Sequence, residues 1–160
     1  MTPSERFVEQ MAGALNEAGL PRVASLVFSA LLVDDDGRMT SAELSSALAV
    51  SPASVSGAVK YLIGVGMVRR ERERGSRRDV YVVDDDAWHG TMTRVHQLYA
   101  PMLAALDKGL SDLPEQAPAR HRIALSRDFL LFVTDEMAAL ARRWDEHRDG
   151  DERTSGSRVG

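Results

Sequence analysis

The chain of 160 residues contains no cysteine, few aromatic residues and no long apolar run. The absence of cysteine excludes disulfides, thiolate metal sites and thiol-based redox sensing. The longest nearly apolar stretch, residues 23–33, is too short to span a bilayer and predicts a buried helix instead. The N-terminus shows no secretory signal. We therefore expect a cytoplasmic protein without membrane insertion, large enough for one domain with a real core.

Signatures of enzymes and metal sites are also missing. The sequence has no nucleophile motif, no glycine-rich phosphate loop and no paired carboxylates that spacing would reveal. The acidic triplet at residues 34–36 lacks the alternating ligands and distal Glu of an EF-hand, and predicts a solvated turn. His89 and His96 could share a helix face, but a pair without further ligands is more typical of surface or interface histidines. We expect no enzymatic activity, cofactor or metal.

Two short helices are indicated between residues 40 and 64. Thr40 and Glu43 form a capping box, in which each side chain satisfies a backbone N–H at the start of the first helix. Ser51 is placed to cap the second helix, with Pro52 at its first position. Only Ala49 and Val50 lie between the two helices, which is typical of a helix-turn-helix corner.

The second helix has two unlike sides. Its apolar side, at spacings of three and four, consists of Val55, Ala58, Val59 and Leu62. The other side is small or polar and consists of Ala53, Ser54, Ser56, Gly57, Lys60 and Tyr61. This side would let the backbone approach a DNA groove while hydroxyls reach phosphates or base edges. The alternative interpretation is an ordinary solvated helix face.

An arginine-rich hairpin follows. Predicted strands at residues 67–74 and 77–83 flank Gly75 and Ser76, a two-residue link that favours a type II′ turn. In this register Arg72 faces Asp79, Glu73 faces Arg78, and Val68 faces Val83. Opposite charges across the strands would stabilise the hairpin.

The positive charge is concentrated in this region. Residues 51–83 hold one Lys and six Arg against three acids, a net charge of +4, whereas the whole chain carries −4 and the remainder therefore −8. A basic segment on an acidic protein is a local electrostatic footprint that suits duplex DNA. Together the helices and hairpin predict a winged helix-turn-helix.

Two long helices are expected after the hairpin. The first carries apolar residues in an almost heptad pattern, namely Trp88, Met92, Val95, Tyr99, Met102, Leu106, Leu110 and Leu113. Pro101 lies within it and should kink the helix or divide it near Ala100. The last helix carries a second seam at Ile123, Leu130, Val133, Met137, Leu140 and Trp144. These seams predict a two-fold dimer, and the alternative is a monomer whose long helices fold back on themselves.

The order of elements resembles the MarR family of bacterial transcriptional regulators. The similarity covers about residues 7–147 and includes residues 66–70 and the wing residues Arg77 and Arg78, and residues 81–88 are similar to the GbsR-like branch. It implies a homodimer with the helix from Ser51 in the major groove and wing arginines at the minor groove. Many members have Asp where this chain has Ser76.

The resemblance also implies an effector held between the dimer helices and the DNA-binding lobe, around Trp88, Met92 and Val95. These residues suit a lipophilic ligand, although core packing explains them equally well. A quaternary-ammonium ligand, as for GbsR-like regulators, would need an aromatic cage. The absence of cysteine removes the peroxide-sensing branch of the family.

We therefore predict a mostly α protein with a small β-hairpin wing, in which a winged helix-turn-helix is combined with long dimerisation helices. The expected divisions are an N-terminal helix of the dimer lobe at 1–20, the DNA-binding domain at 21–83, dimerisation helices at 84–147 and a flexible tail at 148–160. The predicted function is a ligand-responsive, homodimeric repressor that binds double-stranded DNA, and the alternative is a winged-helix protein-interaction module. The expected DNA contacts are Ser51, Ala53, Ser54, Ser56, Lys60, Arg74, Arg77 and Arg78.

Overall fold

The computed structural model describes residues 1–73 and 75–156, apart from the side chains of residues 93, 95, 96 and 151–156. Backbone contacts divide the chain into two compact units, Met1–Gly90 and Thr91–Gly160. The predicted architecture, mostly helical with a small antiparallel sheet, is confirmed. The elements of the first unit are α1 (Pro3–Glu17), α2 (Arg22–Val33), β1 (Arg38–Thr40), α3 (Ser41–Leu48), α4 (Pro52–Gly64), β2 (Arg69–Arg72) and β3 (Asp79–Val82). They are followed by α5 (Ala87–Asp112) and α6 (Ala119–Gly156).

The helices begin where their capping residues predict. The hydroxyl of Thr40 accepts from the backbone N–H of Glu43 at 3.3 Å, and the Glu43 carboxylate accepts from the Thr40 N–H at 2.7 Å. The hydroxyl of Ser51 accepts from the Ser54 N–H at 3.1 Å at the start of α4. Between these helices Ala49 adopts a left-handed conformation with φ of 52°. The corner of the predicted helix-turn-helix is therefore confirmed.

The core of the first unit is centred on α2, as its nearly continuous apolar sequence predicts. Val27, Phe28 and Leu31 are fully buried. They belong to one cluster with Leu44 of α3 and with the predicted apolar side of α4. Because this side of α4 is packed in the core, its opposite side is directed to the outside of the unit. Helix α1 packs on α2, and its predicted role in a dimer lobe stays a prediction.

The sheet contains one strand that the sequence reasoning missed. Its order is β1-β3-β2, and the short strand β1 pairs with β3 in antiparallel fashion. Gly37 precedes β1 with φ of 62°, and a Cβ there would lie 2.8 Å from the carbonyl oxygen of Val83. The Gly37 carbonyl accepts from the Val83 N–H at 2.9 Å. Glycine thus permits a close backbone contact that joins the start of β1 to the end of the wing.

The predicted register of the wing is confirmed, but its link is different. Arg72 lies opposite Asp79, and the N–H of Glu73 donates to the carbonyl of Arg78 at 3.0 Å. The strands β2 and β3 are shorter than predicted, and the Ser76 N–H donates to the Glu73 carbonyl at 3.2 Å. Gly75, with φ of 79°, is therefore the third residue of this turn, whereas a type II′ link would make it the second. The prediction of a type II′ link is wrong because the loop is wider than two residues.

In the second unit, α5 continues through Pro101, so of the two predicted alternatives the division near Ala100 is excluded and the kink stays a prediction. Proline removes one backbone hydrogen bond, and the turns on either side keep theirs. Near the connection with α6, the guanidinium of Arg120 donates to the carbonyls of Leu110 and Leu113. This side chain satisfies carbonyls that the end of α5 would otherwise leave without partners.

The last helix also extends beyond its predicted end. The expected tail began at residue 148, whereas α6 continues to Gly156. Charged residues at helical spacing can maintain a helix without burying apolar surface, as the pair Asp145 and Arg148 illustrates. The part of the predicted tail at residues 157–160 lies outside the described residues.

Across the described residues, no single helix has the length and apolar character needed to cross a membrane. Helices α3 and α4 reach those limits only when taken together, and they are bent by 113°.

Candidate nucleic-acid interface

The outward side of α4 is formed by the residues that the sequence assigned to DNA. Ser51, Ala53, Ser56 and Lys60 are exposed, and Ser54 is half-buried. The hydroxyls of Ser51 and Ser54 lie 2.8 Å apart and form a hydrogen bond with each other. Both of these serines therefore contribute to the start of the helix, while Ser56 and Lys60 project from its exposed side. Whether any of them contacts DNA stays a prediction.

Gly57 lies in the middle of the same exposed side. A Cβ added at this position would meet nothing within 4 Å, so packing does not require glycine. Glycine inside a helix costs about 0.5–1 kcal/mol relative to alanine. Gly57 therefore exposes the backbone on the outward side of α4 and lowers the stability of the helix.

Arginines at the base of the wing are paired with acids. We call Arg38, Arg69 and Arg70 the base arginines. Arg69 forms a fork with Asp84, at 2.9 Å from both Nε and Nη2 to Oδ1, and its other nitrogen Nη1 contacts Glu71.

The remaining two base arginines are paired as well. Arg38 binds the other oxygen of Glu71 at 2.6 Å. Arg70 pairs with Asp79 at 3.6 Å along a diagonal, because the residue directly opposite Asp79 is Arg72, two positions further along β2. The acids of the hairpin thus neutralise arginines at its base.

Arginines nearer the end of the wing differ. Arg72, Arg77 and Arg78 are exposed, and no ion pair involves them within the part of the chain that the structure describes. We call Arg77 and Arg78 the tip arginines. Arg74, the third predicted wing contact, lies outside the described residues. The tip therefore retains positive charge that no ion pair within the described residues neutralises.

Ser76 organises the backbone at the tip. Its hydroxyl accepts from the N–H of Arg78 at 3.1 Å. A short hydroxyl side chain thus forms the kind of local hydrogen bond that Asp also forms in turns. The replacement of the usual family Asp by Ser76 is therefore compatible with an ordered wing turn.

The charge of Arg78 also acts on α3. The pKa of Glu43 lies below its ordinary value, first because the backbone N–H of Thr40 donates to the carboxylate and next because the Thr40 hydroxyl does. Burial opposes this shift, and the positive charge of Arg78 adds a smaller lowering. The tip of the wing is therefore electrostatically linked to the first turn of the helix-turn-helix.

The predicted effector residues are only partly described. Trp88 is 47% exposed, and its ring packs edge-on against buried Phe28 with centroids 5.5 Å apart. Met92 is half-buried, and the side chain of Val95 lies outside the described part of the chain. Core packing thus accounts for one edge of Trp88, while its other side remains accessible.

A cavity of about 520 Å³ opens elsewhere in the first unit. Apolar side chains from α1, α2, β1 and α3 line it, including Val8, Leu26, Met39 and Leu48. The acids Glu5 and Glu9 lie at its α1 wall. Nothing in the sequence reasoning predicted this cavity, because its lining comes from four separate elements. Among the side chains that the structure describes, no group of three His, Asp or Glu could hold a metal.

Helix α6 carries an apolar surface that differs from the predicted seam. Leu125, Phe129 and Phe132 are each more than 60% exposed. They follow at steps of four and three and therefore share one helix face, which we call the α6 stripe. Most of the predicted seam is instead half-buried in the single chain. The helical spacing of the α6 stripe was visible in the sequence, but the neighbouring apolar residues hid which face would be exposed.

The three-stranded sheet and the α3–α4 corner define a winged helix-turn-helix protein. Comparison with known proteins identifies the family. The model of the MarR family matches residues 18–79, and the model of an MmpR5-like MarR family transcriptional regulator matches residues 86–147. The chain belongs to the MarR family of transcriptional regulators, which are DNA-binding proteins and not enzymes.

Two relatives cover nearly the whole chain. The HTH-type transcriptional regulator MmpR5 of Mycobacterium tuberculosis is 30% identical over 148 residues, which represent 91% of this chain and 89% of that protein. The crystal structure of a transcriptional regulator has a TM-score of 0.81 at 29% identity and covers 91% of this chain and 99% of that one.

Proposed function

We propose that this regulator is a homodimeric repressor that binds a pseudo-palindromic operator. In this proposal the outward side of α4 enters the major groove and the tip arginines contact the minor groove. The main support for this proposal is the distribution of charge in the wing. Acids pair with the base arginines and leave the tip positive. Such a regulator acts on DNA in the cytoplasm.

The direct test is fluorescence anisotropy of the full chain with its own upstream intergenic DNA and with a scrambled duplex. Each titration is repeated at two salt concentrations. We expect tight, salt-sensitive binding that prefers the native sequence, because release of counterions contributes to the affinity of basic proteins for DNA. Equal and weak binding to both duplexes would instead support the alternative function, a protein-interaction module that uses the same exposed wing.

The α6 stripe supports the homodimer. Exposed apolar patches on proteins mark interaction sites, and a two-fold dimer would also supply two copies of α4 for two half-sites of DNA. Light scattering should show that the Phe129→Glu variant is a monomer, because an unpaired charge cannot be buried in the dimer interface. The control is Ala138→Glu, which adds the same charge at an exposed position on the opposite side of α6. A dimeric Phe129→Glu protein would overturn this assignment.

We also propose that a small ligand controls operator binding, and a lipophilic one fits best. The cavity between α1, α2, β1 and α3 is lined mainly by apolar side chains, and its walls include the helix that precedes α4. The earlier prediction places the ligand at Trp88, Met92 and Val95. A quaternary-ammonium ligand and the GbsR-like branch remain predictions, and such a ligand would require an aromatic cage.

The loss of operator affinity on adding a ligand distinguishes a lipophilic effector from a quaternary-ammonium one. Variants then distinguish the cavity from the site at Trp88. We expect a long-chain fatty acid to lower DNA affinity and glycine betaine to leave it unchanged. Trp88→Ala should remove the response if the ligand lies beside that ring, whereas Val33→Trp should remove it if the ligand occupies the cavity, which Val33 lines. A response to betaine alone would favour the quaternary-ammonium alternative, and no response to either probe would contradict ligand control by these classes.

A further inference from the structure

The N-terminal half of α4 lacks the side chains that identify guanine or adenine. Specific readout in the major groove relies chiefly on two-point contacts, from Arg or Lys to guanine and from Asn or Gln to adenine. The outward side of the first two turns instead offers Ser51, Ala53, Ser54, Ser56 and Gly57. None of these residues can make a two-point contact to a base.

The serines have little capacity left for base readout. The hydroxyl of Ser51 accepts from the Ser54 N–H and is also bonded to the Ser54 hydroxyl. Ser56 is also exposed, and its hydroxyl forms no hydrogen bond with the described residues. A single hydroxyl donates or accepts equally well and therefore discriminates weakly between bases.

The one cation on this side is placed late in the helix. Lys60 follows Pro52 by eight residues, which is about 12 Å along the axis. In a helix-turn-helix the N-terminal residues of the recognition helix contact base edges. Lys60 is therefore positioned to act on phosphates as a point charge, which adds affinity without sequence information.

Small residues favour another kind of contact. Ala53 exposes a methyl group, and Gly57 exposes backbone with open space around it. Close approach of such a surface suits the C5-methyl groups of thymine, the one apolar feature of base edges in the major groove. The tip arginines suit a narrow minor groove, whose negative potential is strongest in A·T-rich DNA.

We infer that this regulator recognises A·T-rich half-sites through thymine methyl groups at Ala53 and Gly57 and through the narrow minor groove at Arg77 and Arg78. Guanine is not read by a two-point contact in the major groove. This inference rests on the proposed operator binding and specifies its chemistry.

The test begins with selection of duplexes from a random pool by the full chain. Three base analogues are then placed in the selected site. Uracil in place of thymine removes the C5-methyl group, 7-deazaguanine removes the N7 acceptor of guanine, and 2,6-diaminopurine in place of adenine adds an amino group to the minor groove.

We expect uracil to weaken binding about fourfold for each contacted thymine, from the free energy of burying one methyl group. Diaminopurine opposite the wing should weaken binding about tenfold or more, because the added amino group obstructs the minor groove. Substitution by 7-deazaguanine should change affinity by less than about twofold.

Matched variants identify the groups responsible. Ala53→Gly should reduce the effect of uracil and leave the effect of diaminopurine intact, whereas Arg77→Ala with Arg78→Ala should do the reverse. Loss of binding on 7-deazaguanine substitution, or no effect of uracil, would overturn the inference while leaving operator binding established. Failure of the selection to enrich any sequence would overturn the proposed function and the inference with it.

Discussion

The wing contains two sets of arginines with different surroundings. The base arginines Arg38, Arg69 and Arg70 pair with Glu71, Asp79 and Asp84. The tip arginines Arg77 and Arg78 are exposed and form no ion pair among the described residues. The number of arginines in a wing therefore overstates the positive charge available to DNA, because some of them are paired with acids at the base of the sheet. Substitutions can separate the two roles.

The largest effect is expected at the tip. Arg77→Ala combined with Arg78→Ala should lower operator affinity about 100-fold or more, since each side chain that contacts DNA contributes about 1–3 kcal/mol. The free energy of unfolding should change by less than about 0.5 kcal/mol, because both side chains are exposed. Anisotropy titration and urea unfolding measure the two quantities. A folded double variant with unchanged affinity would contradict the assignment of the tip to DNA.

The next effect concerns α4, the other proposed contact surface. Gly57→Ala should raise the free energy of unfolding by about 0.5–1 kcal/mol, since glycine is costly inside a helix and the site has open space. Operator affinity should fall about tenfold, a loss comparable to that of one specific contact, because the added methyl group prevents close approach. Higher stability combined with lower affinity would distinguish this site from the base of the wing, where a substitution should lower stability and leave affinity nearly unchanged. Unchanged or higher affinity would show that the backbone at Gly57 makes no close contact with DNA.

A further test concerns the acid that responds to the tip, Glu43. Thr40→Ala should lower the free energy of unfolding by about 1 kcal/mol at pH 7 through loss of the helix cap. Because the pKa of Glu43 is lowered in the folded protein, its contribution is present above the unfolded value of 4.5 and is lost as the pH falls through the folded value. Thr40→Ala keeps the backbone N–H and removes the hydroxyl donor to this carboxylate, so the part of the difference that comes from the hydroxyl should shrink as the pH falls from about 5 through the folded value. Urea unfolding across that range measures it, and a difference that grows with acidity would contradict the capping assignment.

The smallest effect is expected at the base. Arg69→Ala should lower the free energy of unfolding by about 1 kcal/mol or less, because the ion pairs with Asp84 and Glu71 are partly exposed to solvent. Operator affinity should stay within about threefold of the original, a shift of less than 1 kcal/mol. Anisotropy titration and urea unfolding measure these two quantities, as for the tip variant. A loss of affinity as large as that of the tip variant would show that the two sets of arginines share one role.

Local features of the fold followed from the sequence, and contacts between distant residues did not. The caps at Thr40 and Ser51 depend on residues three positions apart, and the wing register depends on one turn. The strand β1 was missed because three residues show no readable alternation. The diagonal pair of Arg70 with Asp79 depends on side-chain reach across a twisted sheet, which cross-strand position alone does not specify.

The outward side of α4 was predictable because helical periodicity separates it from the core side. The division of the wing arginines into paired and unpaired sets could not be predicted, because Arg38 comes from β1 and Asp84 lies beyond β3. The α6 stripe was likewise obscured, because apolar residues on several sides of α6 gave two overlapping patterns. Leu125, Phe129 and Phe132 were identified only by their exposure in the structure.

The most direct test of the central claim is the dependence of operator affinity on salt, measured for the original protein, the tip double variant and Arg69→Ala. In the proposed dimer, two tip arginines from each of the two protomers should release about four counterions, so the slope of log K against log salt should become shallower by about three to four in the tip variant. Arg69→Ala should keep the original slope. Equal slopes for all three proteins would contradict the claim that the tip arginines provide the charge that binds DNA.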